Sequence, residues 1–152
     1  MDVLSAIYRY CNYQERCHKE VRNKLYELGC TTPEVEEHIA LLIEKGVLNE
    51  QRYADAIVRG KFRMNHWGRN KIVQQLKFNQ ISPACIAKAL NQIDSGVYYG
   101  RLLKLTEKKL AEMQSERSIQ RRNYKVYRYL IQKGYESSLV KEALEEITNS
   151  PS

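Results

Sequence analysis

Apolar residues recur along this chain at intervals of three and four, with no sustained alternation, so the pattern predicts helices and no strand. Three segments align without gaps: "EVRNKLYELGCTTPEVEEHIALLI" from Glu20, "KIVQQLKFNQISPACIAKALNQI" from Lys71 and "KVYRYLIQKGYESSLVKEALEEI" from Lys125. Val21, Ile72 and Val126 coincide, as do Leu25, Leu76 and Leu130, then Cys30, Ile81 and Tyr135. A second stripe in each copy runs i, i+4, i+7: Val35, Ile39 and Leu42; Ile86, Leu90 and Ile93; Val140, Leu144 and Ile147. Between the stripes stand Gly29, Gln80 and Gly134, where a helix ends in a left-handed residue, and Thr32-Pro33 and Ser82-Pro83 supply a cap followed by proline at the first helical position. Each copy therefore reads as a helical hairpin.

A further helix fits before each hairpin. Leu4, Ile7, Tyr8 and Cys11 form one stripe, Tyr53, Ala54, Ile57, Val58 and Phe62 a second that follows the cap Asn49, and Leu102, Leu103, Leu105 and Leu110 a third. The expected fold is all-α, with three tandem three-helix repeats at 1–46, 47–95 and 96–149 forming an elongated, curved helical solenoid, and 150–152 as a disordered tail. Helices of about 14 residues are roughly 20 Å long, giving a body of roughly 60 to 70 Å.

Charge changes the picture. The formal net charge is +7, and between Asp55 and Asp94 no carboxylate occurs although Arg59, Lys61, Arg63, Arg69, Lys71, Lys77 and Lys88 all fall in the gap. Thr31 to Glu50 is acidic instead. Such a balance points to a polyanionic partner: nucleic acid, anionic lipid or an acidic protein surface. The four cysteines, at 11, 17, 30 and 85, include no CxxC pair and are expected to be reduced. The opening "MDVLSAIYRY" carries Asp2 and Arg9 and fails as a signal peptide, and no apolar run is long enough to span a bilayer. A cytoplasmic protein without membrane attachment is expected.

The stretch "IEKGVLNEQRYADAIVRGKF" followed by "WGRNKIVQQLKFNQIS" resembles the RecX family of bacterial recombination regulators. Its first signature run corresponds to Gly46 to Ala54 and its second to Trp67 to Leu76, while "YRYCNYQERCHKEVRNKLYELG" and "LIQKGYESSLVKEAL" look like the family's opening and closing helical pairs. Gln80 stands where many relatives have glycine, and Cys17 where many have a serine cap. The resemblance implies a regulator that binds the RecA recombinase filament on single-stranded DNA, lies along its groove and depresses its ATPase and strand-exchange activities in recombination and repair.

On this reading Lys61, Arg63, Arg69 and Lys71 are the leading partner-binding residues, with Arg52, Arg59 and Trp67 beside them. The alternatives are a solvated helix face for the bases, a glutamate bond joining two modules for Arg52, and a hydrophobic staple for Trp67. Arg121, Arg122, Lys125 and Arg128, interleaved with Tyr124, Tyr127 and Tyr129, are candidates for contact with single-stranded DNA, against the reading that these tyrosines flank the stripe of Val126 and Leu130. Cys11, Cys17, His18 and Cys30 have no recognised metal-ligand spacing, so no metal is expected. No nucleophile and base, paired carboxylates or phosphate loop occurs, and the histidines at 18, 38 and 66 stand in ordinary helical contexts, so neither catalysis nor a cofactor is expected. A monomeric regulatory binding protein is the leading reading. A direct DNA-binding helical module of helix-turn-helix type is the alternative, and a scaffold is the third.

Overall fold

Nine α-helices and no strand occupy the residues that the computed structural model describes, 2–149; the tail expected at 150–152 lies outside them. In chain order they are α1 (Val3–Tyr13), α2 (His18–Glu27), α3 (Thr32–Glu44), α4 (Glu50–Arg63), α5 (Arg69–Phe78), α6 (Pro83–Leu90), α7 (Ser95–Glu112), α8 (Ile119–Gln132) and α9 (Ser137–Thr148).

The aligned exits of the repeats are one backbone device used again and again. Cys30, Ile81 and Tyr135 each donate their N–H to the carbonyl five residues back, on Leu25, Leu76 and Leu130. Gly29, Gln80 and Gly134 just before them donate three residues back and have φ of +92°, +61° and +102°. This is the Schellman ending, and the apolar residue after the left-handed one turns back into the core. Val47 and Gly46 repeat it after α3. Gln80 adopts the same conformation as the glycines, so the departure from glycine there leaves the turn intact.

Helix starts are equally local. The Asn49 carboxamide oxygen accepts from the Arg52 N–H at 2.8 Å, as expected of a cap, and the Ser82 hydroxyl accepts from Cys85 N–H at 3.4 Å. Thr31, not Thr32, caps α3: the Glu34 carboxylate receives the Thr31 N–H and hydroxyl, both at 2.8 Å, which moves the cap one residue ahead of the expected position and leaves Pro33 within the first turn. At the start of α2 the Glu20 carboxylate takes the Cys17 N–H at 3.0 Å, and the cysteine side chain is fully buried. Its thiol is pushed up to about 11, chiefly by that burial.

The chain divides into two compact units. The first comprises the residues up to Val58 together with Gln75–Ala89. Ile7 and Cys11 of α1, Val21 and Leu25 of α2, Val35, Ile39 and Leu42 of α3, and Leu48 form its continuous core. Leu4, expected in the α1 stripe, is 37% exposed because Ile7 and Cys11 carry the inward face.

The second unit comprises Arg59–Gln74 and the chain from Leu90 onward. Here α7 packs on α8 and α9, and α8 on α9. Tyr98, Leu102, Val126, Leu130, Tyr135, Val140 and Ala143 are buried. The start of α5 meets the end of α8 with no side chain between them: a β-carbon on Gly68 would stand 2.4 Å from the Gly134 carbonyl carbon, and one on Gly134 2.4 Å from Lys71 Cβ. The Gly68 and Asn70 N–H groups donate to the Lys133 and Gly134 carbonyls, both at 2.8 Å. Unsatisfied donors of one helix start thus meet unsatisfied acceptors of one helix end.

The contact predicts an unequal response to one methyl group. Gly29→Ala, which has open space but a positive φ, is expected to cost about 1 kcal/mol. Gly134→Ala adds a clash to the same conformation and is expected to cost about 3 kcal/mol or more, read as the difference in urea midpoints. Equal losses would show that the close approach contributes nothing.

Candidate functional site

In the second unit, the connector from α4 to α5 is short and tightly held. His66 takes a left-handed φ of +58°, and its carbonyl accepts the Tyr135 hydroxyl at 2.9 Å. Lys133 Nζ donates to the Asn65 carbonyl at 3.0 Å, and the Trp67 N–H donates to the Lys61 carbonyl at 3.0 Å. A left-handed residue other than glycine is costly, and these bonds hold it.

The connector presents the half-buried Trp67 with a lysine from each flanking helix: Lys61 Nζ is 4.7 Å and Lys71 Nζ 4.5 Å from an indole ring centroid. Each such contact contributes about 0.5–1 kcal/mol at an exposed site. That is too little to fix a fold, but it keeps two positive charges at one aromatic surface. Arg63 and Met64 beside them are exposed, Met64 at 81%. The structure therefore brings together Lys61, Trp67 and Lys71, which lie ten residues apart from first to last in the sequence.

Arg69 is differently placed. Its guanidinium lies 3.8 Å from the centroid of the Tyr98 ring and donates to Glu136 Oε2 at 2.8 Å. The Tyr98 hydroxyl donates to Glu136 Oε1 and accepts the Arg69 backbone N–H at 2.9 Å. Its ring lies between Phe62 and Tyr135, with centroids 5.9 and 5.2 Å away. Burial, and after it the bond to Glu136, pushes the Tyr98 phenol well above its usual range, and burial does the same to Tyr135. Arg69 thus has its charge answered inside the unit.

Arg59 donates to Gln92 Oε1 at 3.2 Å. Arg52 belongs to the first unit, where it pairs with Glu15 at 2.7 Å and donates to the Val47 carbonyl at 3.0 Å. On α8, Lys125 pairs with Glu116 at 2.9 Å, Arg128 donates to the Tyr124 hydroxyl at 3.1 Å, Arg121 is exposed, and the buried Arg122 Nε has no hydrogen-bond partner among the described residues.

Sequence reasoning missed Lys133 and Arg101, and it placed His66 in an ordinary helical context, whereas His66 lies in the connector between α4 and α5 with a left-handed backbone. The repeat alignment places Lys133 just before a turn glycine, but no spacing reveals that its ammonium reaches Asn65. Burial and then Lys71 hold the Lys133 ammonium below its ordinary value. Arg101 donates to the Phe62 carbonyl and to His66 Nδ1, both at 2.8 Å. Because arginine only donates, Nδ1 accepts and His66 carries its hydrogen on Nε2. Burial first, then Arg101, Lys133 and Lys108, hold the imidazole below its usual range.

Among the described residues, no group of three or more His, Cys, Asp and Glu side chains could hold a metal ion, and no helix is long and apolar enough to cross a membrane.

Comparison with known proteins adds the family context. The RecX second three-helix domain matches residues 49–90 and the third three-helix domain matches 97–144, together more than half of the chain. The regulatory protein RecX of Clostridium perfringens (strain 13) is 29% identical over 136 residues, 89% of this chain and 63% of that protein. That of Lactococcus lactis subsp. lactis is 29% identical over 144 residues, 93% of this chain and 53% of its own. The chain thus spans between about half and two thirds of the length of these relatives. RecX from Lactobacillus salivarius superimposes with a TM-score of 0.86, covering 96% of this chain and 94% of that one at 24% identity, a likeness of fold. A second crystal structure, of a regulatory protein RecX, gives 0.83 at 27% identity, covering 95% and 72%.

The Arg69, Tyr98 and Glu136 group predicts two effects. Tyr98→Phe leaves an amide and a carboxylate without their shared partner and is expected to cost about 1–3 kcal/mol at pH 7. Tyr98 and Tyr135 are raised from 10.0 and Cys17 from 9.0. Their stabilisation is fully present below those unfolded values and is lost as pH rises through the folded ones. The urea midpoint is expected to hold from pH 7 to 8.5 and to fall above pH 10, with each tyrosine contributing about 1.4 kcal/mol per unit at most. A midpoint at pH 11 equal to that at pH 8 would contradict this.

Proposed function

The chain belongs to the RecX family of regulatory proteins, and we propose that it acts without catalysis of its own, by binding the RecA recombinase filament on single-stranded DNA and lowering its ATPase and strand-exchange activity. The observation that supports this best is the Lys61, Trp67 and Lys71 cluster on a tightly held connector. An indole flanked by cations is the kind of anchor that dominates interface energetics, and a connector already fixed in place loses little entropy on docking. Arg63 and Met64 extend the same surface. Arg69 and Arg59 act behind it, orienting the start of α5 and the end of α4, and Arg52 plays the corresponding part in the first unit. Positive charge on a stretch of sequence that carries no carboxylate between Asp55 and Asp94 suits an acidic protein surface and speeds encounter with it.

A direct DNA contact through α8 is the second reading. Tyr124 is 57% exposed beside Arg128, and with Arg121, Arg122 and Lys125 it offers a ring on which a base could stack. This contact is proposed as weak and as secondary to the filament.

Titration of RecA ATP hydrolysis on single-stranded DNA tests the proposal. The wild type is expected to inhibit at concentrations below that of RecA. Lys61→Glu/Arg63→Glu/Lys71→Glu and, separately, Trp67→Ala are expected to need about tenfold more protein for the same inhibition, with unchanged helical content. No inhibition by the wild type removes the function, whereas equal inhibition by the triple variant removes only the surface.

A further inference from the structure

A cavity of about 220 Å³ opens in the second unit, lined by His66, Leu105, Lys108, Lys109, Glu112, Tyr129 and Lys133. Its charges do not balance. Lys109 pairs with Glu112 at 3.4 Å and rests 4.3 Å from the Tyr129 ring centroid. Among the described residues Lys108 and Lys133 are not ion-paired, and Lys133 donates only to a backbone carbonyl. Two of the lysines that line the cavity therefore have no carboxylate of their own. His66 adds a neutral N–H donor, since Arg101 occupies its other nitrogen. The remaining wall, Leu105 and the Tyr129 ring, is apolar and aromatic.

Two uncompensated cations and one neutral donor match an acceptor group of about two negative charges. A phosphate monoester carries about −1.5 to −2 at pH 7 and three strong acceptor oxygens, whereas a backbone diester carries a single charge. The volume lies below the about 300 Å³ at which pockets for drug-sized ligands begin, so it takes a headgroup rather than an extended ligand. The Glu112 carboxylate repels phosphate from its own side and offers an acceptor to a sugar hydroxyl there.

We propose that this cavity is a binding site for the phosphate monoester of a nucleotide, either a free nucleoside 5′-monophosphate or the phosphorylated 5′ end of a strand. Lys108 and Lys133 hold the phosphate, His66 Nε2 donates to it, and Leu105 and Tyr129 border the sugar. The cavity adjoins the proposed recombinase surface, since His66 precedes Trp67 and Lys133 feels the charge of Lys71, but its ligand is assigned independently of that surface, so the test uses this protein alone.

Calorimetric titration at 0.15 M salt compares AMP with adenosine, and a 5′-phosphorylated oligothymidylate with its 5′-hydroxyl counterpart. At least a fivefold preference for the phosphorylated member of either pair is expected, and the pair that shows it identifies the source. Lys108→Gln/Lys133→Gln is expected to abolish the preference, and Lys108→Glu alone, on an exposed part of α7, to do the same without touching the Asn65 bond. Glu112→Gln is expected to strengthen phosphate binding two- to threefold. No preference in either pair overturns the proposal, as does a preference retained in a folded Lys108→Glu variant. A phosphoserine peptide that binds as tightly as AMP overturns the assignment to nucleotides.

Discussion

The close approach of Gly68 to Gly134 is the constraint on which the second unit depends. At the start of α5 three consecutive N–H groups, of Gly68, Arg69 and Asn70, point out of the helix and need acceptors. They find the Lys133 carbonyl, the Tyr98 hydroxyl and the Gly134 carbonyl. The positive end of α5 therefore meets the negative end of α8, an attraction that adds to the hydrogen bonds. Only glycine at both places lets the backbones come so near. Because α5 is fixed in this way, the connector before it is fixed as well, and with it Trp67 and the two lysines at its ring.

The same arrangement sorts the cations. Arg69 lies over Tyr98 and bonds to Glu136, so its charge is spent inside the unit and its removal is a matter of stability. Lys61 and Lys71 rest against an indole that carries no charge, so their ammoniums are available to an anionic surface. Lys133 does both: it bonds to Asn65, feels Lys71 as a like charge, and borders the cavity that Lys108 and the Glu112-paired Lys109 also line. One basic stretch of sequence thus contains residues that build the scaffold and residues that face outward.

Much of the fold was legible because it is local. The stripes through Val21, Leu25, Val126 and Leu130 are buried as the spacing predicts, and the aligned Cys30, Ile81 and Tyr135 all occupy the residue after a left-handed turn. The capping of α3 was missed by one residue because Thr31 and Thr32 are chemically alike and only the reach of Glu34 separates them. Gln80 could not be read as left-handed from its identity, and only its place in the repeat suggested it. Charge was least legible. Lys71 turns to Trp67 within "WGRNK" itself, but nothing in that stretch tells that Arg69 turns to Glu136, a partner 67 residues away in sequence.

The central claim is that the Trp67 surface is where the recombinase filament docks. Trp67 is the sole tryptophan of the chain, so replacing it with 5-fluorotryptophan gives a single ¹⁹F resonance at that surface. Docking is expected to shift and broaden this resonance when RecA assembled on single-stranded DNA is added, and to leave it in place when the DNA is added alone. A resonance unmoved by saturating filament, under conditions in which the labelled protein still inhibits ATP hydrolysis, would contradict the account.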